Sequence, residues 1–182
     1  MRPVWLVASY TLRIDPSELQ IVSWPDPRLR TRATHVPTTE EVTLVAPRML
    51  ELMHEVSGIG LAAPQVGLPW RLFVTYVPDA DPVDRIFVNP VVHLDLCGLP
   101  PQPYEEGCLS LPDLRLEILR PKAATISATN ADGHPFEMAD DGLLARVWQH
   151  EHDHLEARLI FDLAQPVEAA MVKRWRKVYD AQ

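Results

Sequence analysis

Residues 149–155 read Gln-His-Glu-His-Asp-His-Leu, with two histidines four positions apart and a glutamate directly after the first. On a helix each residue turns about 100°, so His150 and His154 project within about 40° of one another and Glu151 lies beside them. Such a pair can hold one divalent metal, with the glutamate placed to move protons next to it. Leu143, Val147, His150 and His154 recur at helical spacing, so this stripe faces inward. His152 falls about 200° from His150 and is expected at the surface rather than as a ligand. Two histidines leave a metal short of protein ligands, and the identity of the third decides the chemistry.

Ala157 and Ile160 stand where an extended HExxHxxGxxH motif needs glycine and a third histidine, which excludes that ligand set. Glu168 is one candidate, 14 residues beyond His154 near the start of the next helix. Cys108, within Glu106-Gly107-Cys108-Leu109-Ser110, is the more attractive one, because a thiolate suits zinc or ferrous iron.

The elements that must position these groups can be read around them. Asp140 is the expected N-cap of the histidine helix, and Asp140 and Asp141 suit the positive end of its dipole. Leu19 to Val22 reads as a short strand, followed by a turn forced by Ser23-Trp24-Pro25-Asp26-Pro27. Thr38 and Glu41 form a capping-box pattern, and Val42, Val45, Met49, Leu52, Met53 and Val56 follow helical spacing. Pro47 predicts either a kink in that helix or its true start. Residues 58–67, small and apolar except for Gln65, predict a tight turn into a buried strand where another backbone can come close. Strands are expected over Arg71 to Val77 and Arg85 to Val92, with a loop from Asp79 to Asp84. Leu96 to Gln102 is a proline-rich connection in which Cys97 has no assigned role. Leu114, Leu116 and Ile118 alternate with Arg115 and Glu117 as in a half-buried strand, and Ala123 to Thr129 pairs with His134 to Met138 through an Asp-Gly turn. Val167, Ala170, Met171, Arg174, Trp175 and Val178 mark a last amphipathic helix. The expected architecture is α+β: one domain over residues 19–182, with mixed or antiparallel strands around the HExxH helix and a C-terminal helix. Residues 1–18 are an extension whose role composition does not reveal.

The bulk numbers agree with one soluble domain. The chain has 182 residues, 47% hydrophobic and 23% charged, and a formal net charge of −8, which argues against general nucleic-acid binding. Two cysteines are too few for a disulfide scaffold, and no apolar run approaches the ~18 residues of a membrane span, so a reducing cytoplasm is the expected setting. A transit-peptide reading of the first residues, with Arg2, Ser9, Thr11 and Arg13, carries little weight.

Three segments together resemble the signature motifs of the peptide deformylases. Gly58-Ile59-Gly60-Leu61-Ala62-Ala63-Pro64-Gln65 is similar to that family's GxGxAAxQ, residues 106–110 match EGCLS, and residues 149–155 fit QHExDHL. The likeness extends from about Leu19 to Leu163 and includes Trp24-Pro25-Asp26-Pro27-Arg28-Leu29-Arg30. The resemblance implies that Cys108, His150 and His154 hold one divalent metal per chain, with water or hydroxide in the open position. Fe(II) is the implied native ion, and Zn(II), Ni(II) or Co(II) are alternatives in purified protein. It implies Glu151 as general acid and base, and the Gln65 amide and Leu109 backbone N–H as oxyanion donors. It implies a formyl-methionyl nascent peptide as substrate, bound along Gly58, Ile59 and Gly60 and by Glu106 and Gly107, with Ile59, Leu143 and Val147 lining a side-chain pocket and Arg115 at its rim. The ribosome exit region is a further candidate partner, while no membrane or direct nucleic-acid recognition is expected. Departures from the family pattern are Ala157 in place of a common glycine, Pro47 in the first helix and the bulk of Leu116-Glu117 beside Arg115.

Two other classes remain to be separated from this one. An HExxH endopeptidase would cleave internal peptide bonds and be indifferent to Cys108→Ser, but leaves the cysteine and Gln65 unexplained. A non-catalytic homologue with a structural metal, binding peptides or ribosomes, leaves Glu151 without a purpose, since structural sites are normally closed by a fourth ligand.

Overall fold

The computed structural model describes residues 14–36, 39–94 and 100–180. Thr38, Cys97 and most of the expected N-terminal extension therefore lie outside the described residues. Helix α1 spans Thr39–Glu55 and buries Val42, Val45, Met49, Leu52 and Met53, while Val56 is exposed just past its end. Pro47 sits inside it rather than at its start. A proline there removes one backbone donor, and the helix is held instead by its apolar face.

Strands β1 (Gly60–Ala62), β2 (Leu72–Val77), β3 (Asp81–Leu94), β6 (Ala124–Thr129) and β7 (Pro135–Asp140) form an antiparallel sheet in the order β1-β2-β3-β6-β7. Strands β4 (Gln102–Cys108) and β5 (Leu111–Arg120) form a separate antiparallel ribbon. Side chains alternate across a strand, so β2 sends Leu72 and Val74 to one face and Phe73 and Val77 to the other. Both faces are buried. Helix α1 packs with Leu72 and Val74, and α2 (Leu143–Leu155) packs with Phe73 and Val77 through Leu144, Val147, Trp148 and Leu155. Helix α2 lies against all five strands of the sheet, so the histidine motif is at the centre of the molecule as expected. A third apolar cluster joins Leu111, Leu114, Leu116 and Ile118 of β5 to Phe161 and to Trp175 of α3 (Ala169–Tyr179).

Several expectations are corrected. Leu19 to Val22 forms no strand; its one sheet-like bond is Val22 N–H to the Gln65 carbonyl, 2.8 Å. The 79–84 loop shrinks to a turn at residues 78–80, because β3 begins at Asp81. Residues 102–108 are a strand despite Pro103 and Gly107, which is tolerated because β4 pairs only with β5. In α3 the buried side is Val172, Trp175 and Tyr179, not Val167, Met171 and Val178, which are exposed. Asp140 lies two residues before the N-cap position, Gly142, yet its Oδ2 accepts from the N–H groups of Gly142 and Ala145 at 2.8 and 2.9 Å. It caps α2 from upstream.

Candidate metal centre and active site

Helix α2 presents His150 and His154 one turn apart toward the end of β4, where Cys108 emerges. One donor atom from each of these three residues lies within 4.8 Å of the other two, and Cys108 Sγ stands 3.3 Å from His154 Nε2. His154 is fully enclosed, and its burial and the neighbouring His150 both push it well toward the neutral form, the state that ligates metal. Burial also works against a charged His150. The Cys108 sulfur and the Glu106 carboxylate outweigh it and hold the ring's proton affinity well above the ordinary value. Two imidazoles and a thiol converging from one side, with a cleft on the other, fit a zinc-like or ferrous site with an open position.

His150 owes its orientation to Glu106. The Glu106 Oε2 lies 3.0 Å from His150 Nδ1, which places the ring proton there and leaves the Nε2 lone pair for the site. Glu106 is in turn bound by Arg120 through Nε and Nη2, at 2.7 and 3.0 Å, and by Arg146 Nη1 at 2.7 Å. Arg120 also reaches Asp153 at 2.7 Å, and Arg158 holds the other Asp153 oxygen at 2.6 Å. Burial would raise Glu106, but the His150 and Arg120 bonds overcome it and keep the carboxyl far below the usual range. Both Glu106 oxygens are thus engaged from behind the site. Glu106 also borders the cleft, beside Gly107 and Cys108.

Glu151 is buried at the cleft floor, and its Oε2 has no hydrogen-bond partner among the described residues. Burial raises its carboxyl from 4.5 to about 7, against the pull of His150 and Arg120. That is the range of a general base that must also act as an acid near neutral pH. Gly60 makes room for it. A Cβ on Gly60 would lie 2.8 Å from Glu151 Cδ, so any side chain there collides with the carboxylate. Gly58 similarly leaves space for Leu109, whose Cδ1 would be 2.9 Å from an added Cβ.

Gln65 is fixed at both ends of its amide. Its Oε1 accepts from Ala62 N–H at 2.8 Å, which fixes the amide's orientation and sends Nε2 toward Ser110 Oγ at 3.3 Å and Cys108 Sγ at 3.5 Å. The 3-10 turn Ala63–Val66 that carries it ends on Gly67 in the left-handed conformation, φ 81°.

The cleft in front of these groups has a volume of about 590 Å³. Ile59, Leu143 and Val147 line it, together with Gly58, Gly60, Gly107, Leu109 and Arg115. The Arg115 guanidinium folds over Gly107, where a Cβ would meet its Cζ at 2.8 Å. Every residue expected at the site borders this cleft except His154, which sits behind it as a buried member of the cluster. Glu168 is elsewhere, its Oε1 accepting from Glu117 N–H at 2.7 Å. His152 is half-buried rather than at the surface, 3.1 Å from Arg71 Nη2, and points away from the cluster. Sequence reasoning missed Arg120, Arg146 and Asp153. A signal for Arg120 was present: it continues the inward register of Leu114, Leu116 and Ile118, and a charge on a buried face requires a partner.

Comparison with known proteins agrees with this geometry. The family model for polypeptide deformylase matches residues 18–170. A peptide deformylase of Chromohalobacter salexigens is 39% identical over 171 residues, covering 91% of this chain and 99% of that protein. One from Acinetobacter baumannii is 42% identical over 156 residues, covering 85% and 88%. Among solved structures, a plant peptide deformylase superposes with a TM-score of 0.82 at 32% identity, covering 92% of this chain and 91% of that one. The Legionella pneumophila enzyme gives 0.79 at 33%, covering 90% and 95%. With three ordered motifs assembled in one cleft and relatives matched over nearly their whole length, the chain belongs to the polypeptide deformylase family.

Proposed function

We propose that this chain removes the formyl group from the N-formyl-methionyl end of newly made polypeptides, releasing formate and a free amine. The observation that carries this reading is the convergence of Cys108, His150 and His154 on one side of a cleft whose floor holds Glu151 and Gln65. Cys108, His150 and His154 would hold the family's divalent metal, Fe(II) in the cell, with Zn(II), Ni(II) or Co(II) replacing it in purified protein. When bound, that ion supplies Lewis acidity at the formyl group and a charge that favours ionised water.

Glu151 takes the proton of the attacking water and returns it to the departing amine, two tasks that suit a carboxyl lifted to about 7. As the formyl oxygen gains charge, the Gln65 Nε2–H and the Leu109 backbone N–H stabilise it. Gln65 is suited to this because Ala62 already fixes its amide, so no reorientation is needed during reaction. Strand β1 is an edge of its sheet, so an extended peptide can add alongside Gly58 to Gly60 through backbone bonds, a mode tolerant of sequence. Ile59, Leu143 and Val147 receive the methionine side chain, Gly107 borders it, and Arg115 meets the peptide at the rim. Residues 19–182 act as one catalytic domain. No helix among the described residues is long and apolar enough to cross a membrane. We place the enzyme in the cytoplasm, near the ribosome exit region where its substrate emerges.

The test compares wild type and Cys108→Ser, purified anaerobically, for formate release from formyl-Met-Ala-Ser, for cleavage of an internal-peptide substrate, and for bound metal. Wild type is expected to release formate and spare internal bonds, and Cys108→Ser to lose metal and activity together. Internal cleavage that survives Cys108→Ser would replace this reading with an endopeptidase.

A further inference from the structure

Strands β4 and β5 fall out of step beside the metal cluster. Cys108 lies opposite Leu111, whereas its neighbour Gly107 lies opposite Arg115. Pro112, Asp113 and Leu114 therefore have no partner across the ribbon and bulge from it. All three border the cleft, and the bulge leads directly into Arg115 at the rim. Asp113 stands in the left-handed conformation, φ 61°, which a residue with a side chain adopts rarely and keeps only when its surroundings hold it.

Helix α3 holds it from behind. Trp175 is buried, and its indole Nε1 donates to the Pro112 carbonyl at 2.7 Å. One turn later the Tyr179 hydroxyl donates to Asp113 Oδ2 at 2.8 Å. The two rings are stacked with centroids 4.6 Å apart, so each steadies the other. The helix is tied at both ends as well. Glu168, just before it, accepts from the Glu117 N–H of β5 at 2.7 Å, and Asp180, just after it, accepts from Trp24 Nε1 at 2.6 Å. A segment unpaired across its own ribbon takes its place from contacts outside the ribbon, and here those contacts come from one helix face.

We propose that Trp175 and Tyr179 are positioning residues for the deformylation: through Pro112 and Asp113 they set the place of the rim that grips the peptide beyond its first residue. The proposal rests on the deformylase reading above. Neither side chain borders the cleft, so both act through the bulge. Ile59, Leu143 and Val147 of the methionine pocket, and Gln65 and Glu151, lie on other elements. Release of the bulge therefore weakens the hold on longer peptides and leaves the chemical step intact.

The experiment measures kcat and KM separately for formyl-Met-Ala-Ser, which runs past the rim, and for formyl-methioninamide, which has no residue beyond the first. Metal-loaded wild type, Trp175→Phe, Tyr179→Phe and the double variant are compared, with bound metal quantified. Each substitution keeps an aromatic ring and removes the donor. Expected on the tripeptide is a KM higher by about threefold in each single variant and about tenfold in the double, with kcat within about twofold. On formyl-methioninamide both constants should stay within about twofold of wild type. In an Asp113→Ala background, Tyr179→Phe should add less than about twofold, because its route to the cleft is gone. An equal rise in KM on both substrates, or a fall in kcat, would make α3 a general support of the fold and overturn the proposal. So would an unchanged tripeptide KM in the double variant. If the double variant does not fold, Tyr179→Phe alone and its combination with Asp113→Ala decide the matter. No formate from either substrate with wild type would instead overturn the deformylase reading itself.

Discussion

The two sides of His150 are built on opposite principles. Behind it, Glu106, Arg120, Arg146 and Asp153 form a buried lattice of ion pairs in which both carboxylates are doubly bound. In front of it, Glu151 keeps an oxygen that has no partner among the described residues, Ile59 and Tyr104 are exposed, and Arg115 lies across a glycine. The rear is saturated and the front is underfilled. A metal-binding enzyme needs both: ligands held so that they cannot turn, and a reacting face with spare hydrogen-bonding capacity for substrate. Damage to the rear therefore costs stability and metal, whereas damage to the front changes catalysis or substrate preference, and at Glu151 also the pH dependence of metal-free stability.

The largest effect is expected at the rear. Arg120→Met leaves the Glu106 and Asp153 carboxylates short of a partner in a buried site, a loss of about 3–5 kcal/mol. Thermal denaturation should show a Tm lower by roughly 10 °C, and metal should be bound more weakly. An unchanged Tm would break the contrast, because the rear would then be dispensable. Glu151 gives the opposite signature in metal-free protein. Its folded-state value is raised from 4.5 to about 7, so the folded state binds a proton that the unfolded state has released. The stability linked to this proton is present below 4.5 and is lost as pH rises through about 7. Relative to Glu151→Gln, metal-free wild type should lose about 3 kcal/mol across that interval, measured by denaturant unfolding at each pH.

Smaller effects sharpen the front. Gly60→Ala should lower kcat by tenfold or more, since the added methyl displaces the Glu151 carboxylate, and kinetics on a formyl-methionyl tripeptide checks it. Arg115→Ala should raise KM for tripeptides by a few-fold while kcat stays level and stability moves by less than about 0.5 kcal/mol. An equal fall in kcat would place Arg115 in the chemistry rather than at the rim.

The same division explains what could be read before the structure. The candidate ligands and Glu151 were legible because they sit in short runs whose residue types have few other uses, and because α2 fixes the angle between His150 and His154. Gln65 stood out as the lone amide in an apolar run. The rear lattice was not legible. Arg120 ends β5 while Arg146 and Asp153 lie seven residues apart on α2, and they meet Glu106 and one another's partners only when β4 and β5 pair and dock on that helix. Strand β4 was hidden by Pro103 and Gly107, and the stripe read for α3 was right at Trp175, which donates to the Pro112 carbonyl at 2.7 Å, but wrong at Val167, Met171 and Val178, which are exposed. Glu106 was placed at the site from its neighbours, while its bonds to His150, Arg120 and Arg146 could not be read from them.

The central claim is that Glu151 performs proton transfer beside a metal it does not hold. The most direct test measures formate released from formyl-Met-Ala-Ser by wild type and Glu151→Ala, with bound metal quantified in the same anaerobic samples. The account predicts about one metal per chain in both proteins and a fall of roughly 10²- to 10⁴-fold in kcat for the variant. Loss of metal along with activity would make Glu151 a ligand, and full activity with metal retained would remove it from the mechanism.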